Sequence, residues 1–115
     1  VILLGGTLFK HSVVTTGTAM TEAASRINAD LYFMGVTGVH HSAGFTTGNF
    51  EEAGVKRLLS ERASETVVMA SHEKINAASA FAIGELSLAS TLIVDGILDQ
   101  PLTDALARSG VTLIH

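Results

Sequence analysis

The chain has 115 residues, 47% of them hydrophobic and 16% charged, with a net charge of −4 and a mean hydropathy of +0.41. That is one domain in size, and too apolar and too weakly charged for a disordered segment. The lack of cysteine excludes a disulfide framework, thiolate metal sites and a cysteine nucleophile, and no apolar run exceeds about six residues where a membrane-spanning helix needs ~20. The seven Lys and Arg are spread along the chain under a pI near 5.6, which argues against this segment itself gripping nucleic acid.

The first predicted element is a strand, Val1 to Leu4, closed by Gly5-Gly6-Thr7. It opens with no initiator Met or polar lead-in, so the chain is expected to be a piece of something longer. Thr18 is placed to cap a helix whose apolar stripe is Met20, Ala23, Ala24 and Ile27. A second strand, Leu31 to Val36, feeds a long loop from Thr37 through Asn49. Asn49, with Glu52 three residues on, has the form of a capping box, and the helix behind it carries Val55, Leu58, Leu59 and the aliphatic stem of Arg62 on one stripe. Thr66 to Ala70 is the third strand. Ile75 to Ser90 admits two readings, an Ala-rich helix or a short strand through Ser79, Phe81, Ile83 and Gly84 followed by a turn. Thr91 to Asp95 is the fourth strand. Pro101 suits the first turn of a helix bearing Leu102, Ala105 and Leu106, Gly110 is its C-cap glycine, and Val111 to Ile114 is the last strand.

These apolar runs are continuous rather than alternating, the pattern of strands covered on both faces. Strands alternating with helices predict an α/β fold with an open, mostly parallel sheet, helices on both faces and right-handed crossovers. No repeat or linker divides residues 1–115, which read as one domain.

In open parallel sheets, ligands bind beyond the carboxyl ends of the strands. That rule selects Gly5-Gly6-Thr7, Thr37-Gly38-Val39-His40-His41, Ser71-His72-Glu73-Lys74 and Asp95-Gly96. Gly5 and Gly6 serve either as a tight turn or as a close backbone approach to a ligand, without the spacing of a nucleotide-binding motif. Thr46, Thr47, Gly48 and Asn49 offer hydroxyls, N–H groups and the positive end of a helix dipole to a phosphate or carboxylate, or they simply cap the helix. Glu52 and Lys56 read as a helix-surface ion pair, with acceptance of sugar hydroxyls by Glu52 the functional alternative. Lys74 is the cation best placed for an anion, ahead of Lys56, Arg57 and Arg108 on helix faces, with Lys10 the other candidate. His40, His41 and His72 come from neighbouring strand ends, but adjacent histidines on an extended loop tend to point apart and no carboxylate lies beside them, so no metal site is expected. Ser71-His72 lacks a nucleophile elbow, and Asp95 serves as a turn cap or a hydroxyl contact.

Val1 to Leu8, then Ala29 to Gly38, then Gly44-Phe45-Thr46-Thr47-Gly48-Asn49-Phe50-Glu51-Glu52-Ala53-Gly54-Val55-Lys56-Arg57, followed by Val67 to Lys74 and Thr91 to Gly96, together resemble the C-terminal effector-sensing domain of the DeoR/GlpR family of bacterial transcription regulators. The likeness covers essentially the whole chain, and the Gly-x-Thr-Thr…Asn-x-x-Glu-Ala-x-x-Lys-Arg block with Lys74 downstream is its most specific part.

The resemblance implies a cytoplasmic sensor with no cofactor, no metal and no catalytic residue, in a fold similar to ribose-5-phosphate isomerase and coenzyme A transferases. It would bind a phosphorylated sugar or similar anionic effector, work as a homo-oligomer, make no membrane contact and reach DNA only through an upstream winged helix-turn-helix domain absent here, along with a preceding strand and helix of the sensor. Carried over by position, its ligand residues are Gly5, Gly6, Thr37, Gly38, Thr46, Thr47, Glu52 and Lys74. Thr37 stands where the regulators usually carry Asp in Gly-Ala-Asp-Gly. This removes a carboxylate that a sugar isomerase would use as a base, and His40 or His41 is the expected substitute contact. The competing expectations are a sugar-phosphate isomerase or deaminase-like enzyme and a ligand-free oligomerisation module.

Overall fold

The computed structural model describes residues 7–8, 15–16, 22 and 25–115. The predicted strand Val1 to Leu4, Gly5, Gly6, Lys10, the Thr18 cap and most of the first helical stripe lie outside the described residues. Within them, β1 (Thr7–Leu8) and β2 (Thr15–Thr16) form a short antiparallel ribbon.

The central sheet is parallel and contains four of the five predicted strands: β3 (Ala29–Gly35), β6 (Ala63–Ala70), β8 (Thr91–Val94) and β9 (Thr112–Ile114), in the order β3-β6-β8-β9. Between β3 and β6 come β4 (Gly38–His40), β5 (Gly44–Thr47) and α1 (Phe50–Arg62). Most of the loop expected from Thr37 to Asn49 is therefore a β-hairpin. Its strands are too short and too rich in glycine and hydroxyls to show as an apolar run, and Gly44 takes φ +74, which closes the turn and which a side chain rarely tolerates. In the segment left open between helix and strand, β7 (Phe81–Gly84) joins β5 to complete a three-stranded antiparallel sheet, followed by a 3-10 turn at Leu86–Leu88. α2 (Gln100–Arg108) begins with Pro101 in its first turn, and Gly110 closes it by donating to Ala107 O.

The register places Met34, Val68, Leu92 and Leu113 in one row across the parallel sheet. The first three are buried and Leu113 packs against the same core as Val39, Phe45, Ala53, Ile83, Leu102, Ala105 and Leu106. The antiparallel sheet, α1 and α2 thus all contribute to a core on this one face. The reason lies in the winding. Each crossover moves the chain one strand in the same direction, and right-handed crossovers in one direction all fall on one side of a sheet. The alternate residues make the opposite face, where Leu31, Phe33, Met69 and Ile114 are exposed, Phe33 by 60%.

Candidate functional site

At the carboxyl edge, residues from five parts of the chain meet. The backbone leaves β3 at Gly35 and turns into β4 through Val36 and Thr37, where Thr37 N donates to Thr46 O at 3.0 Å. Thr37 Oγ1 also lies 3.3 Å from that carbonyl and 2.6 Å from Ser79 Oγ, while Ser79 N donates to Thr46 Oγ1 at 2.8 Å. A Cβ on Gly38 would collide with the Ala77 carbonyl and the Thr46 hydroxyl, so glycine is what lets residues 71–80 lie across the hairpin.

That segment is a strap. It starts with a 3-10 turn at His72–Lys74, contacts the hairpin again where Asn76 N donates to Val39 O at 2.7 Å, and reaches the start of α2 where Asn76 Nδ2 donates to Asp99 Oδ2 at 3.2 Å. Asn76 adopts φ +64, which asparagine tolerates better than most residues. Lys74 is half-buried in the strap and, among the described residues, is in neither ion pair. Ser71 Oγ donates to Glu73 Oε1 at 2.6 Å, which holds the Glu73 carboxyl below its ordinary range.

The structure thus brings together Thr37, Gly38, Thr46 and the strap carrying Lys74. It adds Ser79, a residue that sequence reasoning connected only with a strand and never with the site. Thr47 sits beside them on β5 but is buried, and Thr46 is buried with its hydroxyl already accepting from Ser79. His40 takes a different place, at the far end of the hairpin. Its Nδ1 accepts from Ser42 N at 3.1 Å and Ala43 N at 3.3 Å, capping the turn. His41 does not point away from it, as expected on an extended loop, but stacks on it with ring centroids 4.4 Å apart, because the chain turns at this point. Among the described residues, no group of three His, Asp or Glu is arranged to hold a metal.

Helix α1 forms the other wall. Asn49 Oδ1 accepts from Glu52 N at 2.8 Å, the cap read from the sequence. The Glu52 carboxylate does not close a reciprocal box; it lies 2.9 Å from Lys56 Nζ. Nor is this a surface pair. The side chains are only 8% and 13% exposed, and Lys56 Nζ also donates to Gly35 O at 2.6 Å. The pair is buried because the first two turns of α1 lie against the end of β3 rather than facing water. Tyr32, on the same face of β3 as Met34, feels it too: burial first, and then the Glu52 charge, push its phenol up from 10.0 to about 12.

Raising that pKa links stability to pH. The phenolate is disfavoured in the fold, so this contribution is intact below pH 10 and is lost as pH rises from there through about 12. Tyr32 is the only tyrosine and there is no tryptophan, so its ionisation can be followed by ultraviolet absorbance without interference. Its midpoint is expected well above that of free tyrosine, and Tyr32→Phe should remove about 1–2 kcal/mol of the alkaline loss of stability measured by urea unfolding. A Tyr32 midpoint near 10 would refute the buried environment.

Comparison with known proteins agrees with this architecture. Residues 1–96 match the family model described as the DeoR C terminal sensor domain. The chain is 32% identical over 112 residues to the HTH-type transcriptional regulator GlpR of Haloferax volcanii, covering 97% of this chain and 44% of that protein. It is 32% identical over 114 residues to the HTH-type transcriptional repressor GlcR of Bacillus subtilis, with 99% and 44% covered, and 30% identical over 111 residues to the HTH-type transcriptional regulator GolR of Listeria innocua, with 96% and 44% covered. The chain spans less than half the length of these relatives. With a matching sensor model over most of its residues and a parallel-sheet α/β fold, this chain belongs to the DeoR C-terminal sensor domain family.

Proposed function

We propose that this domain senses an anionic metabolite, a phosphorylated sugar or a close relative, at the carboxyl edge of its parallel sheet, and that binding alters DNA recognition by an upstream domain of a homo-oligomeric regulator. The reading is supported by the contact of Thr37 with Ser79 and of Gly38 with the strap, and by Lys74 on that same strap, half-buried and paired with no carboxylate among the described residues. Lysine is a compact cation suited to a phosphate, and clustered hydroxyls and backbone N–H groups suit its oxygens. Glu52 is a less available ligand than its position suggests, being already engaged by Lys56. Where Thr37 replaces the expected aspartate, the site gains a neutral hydroxyl in hydrogen-bond contact with Ser79. That favours binding over proton abstraction.

A thermal-shift screen of sugar phosphates against the full-length regulator tests this. At a hundred times Kd, a ligand adds about 2.7 kcal/mol of stability, enough for a shift of several degrees. Lys74→Ala is expected to abolish the shift at that concentration while leaving the unliganded melting temperature within about 2 °C. No shift with any phosphorylated sugar would sink the effector class, and a shift indifferent to Lys74→Ala would sink the site.

We also propose that the exposed face of the parallel sheet is covered in the full-length protein by polypeptide upstream of Val1. The support is the unidirectional winding, the apolar residues it leaves uncovered and the greater length of the relatives. A sheet whose strands are all parallel normally has both faces covered.

A further inference from the structure

We propose that Lys56 is the positioning residue of the candidate site: by holding the Gly35 carbonyl and the Glu52 carboxylate at once, it fixes the strand-end loop 35–38 against the first turn of α1 and so sets the separation between Thr37 and the helix N-terminus. The proposal deepens the reading of that edge as an effector site, and rests on it for the ligand half of its test.

A lysine on the outside of a helix ordinarily extends into water, where a pair with a glutamate four residues away contributes little. Lys56 is folded inward instead, with its side chain 13% exposed, and reaches a carbonyl 21 residues back in the chain. Gly35 pairs with Met69 of β6 and Val36 is buried in the core, which ties this backbone to the sheet but not to α1. Among the described residues, the Lys56 bond is the one hydrogen bond between residues 35–38 and α1. The other ties of the loop run to β6 through Gly35, to the core through Val36, and to the hairpin and the strap through Thr37, which meets Thr46 and Ser79. Without Lys56 the loop keeps its sheet, core, hairpin and strap contacts but loses its hydrogen bond to α1. Burying an ammonium and a carboxylate costs desolvation, and two hydrogen-bonding partners in different elements are what offset it. Arginine can supply the same charge and reach. Methionine matches the aliphatic stem but donates to neither acceptor.

The test uses the full-length regulator with three forms: wild type, Lys56→Arg, and the double variant Lys56→Met with Glu52→Gln, which removes both buried charges together so that neither is left unpaired. Hydrogen exchange of the Thr37 and Gly38 amides, compared with Leu92 and Val94 in the centre of the sheet, separates local loosening from global unfolding. Binding of inorganic phosphate, ribose 5-phosphate and fructose 1-phosphate is measured on the same samples. The expected result is about tenfold faster exchange at Thr37 and Gly38 in the double variant with Leu92 and Val94 unchanged, recovery in Lys56→Arg, and about tenfold weaker binding of whichever probe the wild type takes. Unchanged exchange at Thr37 and Gly38 in the folded double variant overturns the positioning role. If the wild type takes none of the probes, the effector reading fails, while the exchange comparison still decides the role of Lys56.

Discussion

Lys56→Met alone is expected to cost about 3–5 kcal/mol of unfolding free energy, measured by urea denaturation, and to be more damaging than the double variant that also carries Glu52→Gln. The asymmetry is the informative part. Were Glu52 and Lys56 the helix-surface pair that their spacing suggests, removing either would cost about 0.3–0.5 kcal/mol and the two changes would nearly add. In the fold both side chains are withdrawn from water. The single change strands a carboxylate in a poorly hydrated place beside Tyr32, whereas the double change replaces it with a neutral amide. A single-variant cost below 1 kcal/mol would mean that the pair is hydrated after all, and would also undercut the raised Tyr32 phenol, which depends partly on the same charge.

Phe33→Ala in the full-length protein is the second large effect. Here Phe33 stands 60% exposed on the outer face of β3, with Met69 on the neighbouring strand 53% exposed. A phenylalanine in that state would tolerate truncation within about 0.5 kcal/mol. If upstream polypeptide covers the face, the same change removes a buried ring and should cost about 2–4 kcal/mol. Phe33→Ala and a change at an exposed position such as Ile97, 84% exposed on the loop after β8, serve as test and control. Equal and small costs at both positions would leave the outer face open to water and would remove the case for an upstream layer.

The sequence announced the parallel sheet because its strands are written in Val, Ile, Leu and Met, and it announced α1 and α2 through Asn49, Pro101 and Gly110, whose effects are local. Three features escaped it. The β4–β5 hairpin depends on glycines and hydroxyls whose partners lie across the chain, and a run such as Gly38-Val39-His40 carries no periodic signal. Ser79 joins the site through a contact with Thr37 that spans 42 residues. The burial of Glu52 and Lys56 follows from how α1 sits against β3, which the i, i+4 spacing cannot report. The run Leu31-Tyr32-Phe33-Met34 does anticipate one result. Tyr32 and Met34 face the described core, and Leu31 and Phe33 face away from it, as apolar as their neighbours.

Arg57, next to the buried lysine, lies over β7: its Nε donates to Ile83 O at 2.6 Å and its Nη2 to Ala82 O at 3.0 Å. On the other side of the small sheet, Asn76 N occupies the Val39 carbonyl of β4. Both margins of the three-stranded sheet are therefore already engaged by their own chain and offer little to a visiting strand, whereas β3 and β9 end the parallel sheet with no described neighbour beyond them. Whatever joins this domain by strand addition, during folding or in misassembly at high concentration, is directed away from the hairpin that carries Thr37 and Thr46 and toward the margins of the larger sheet.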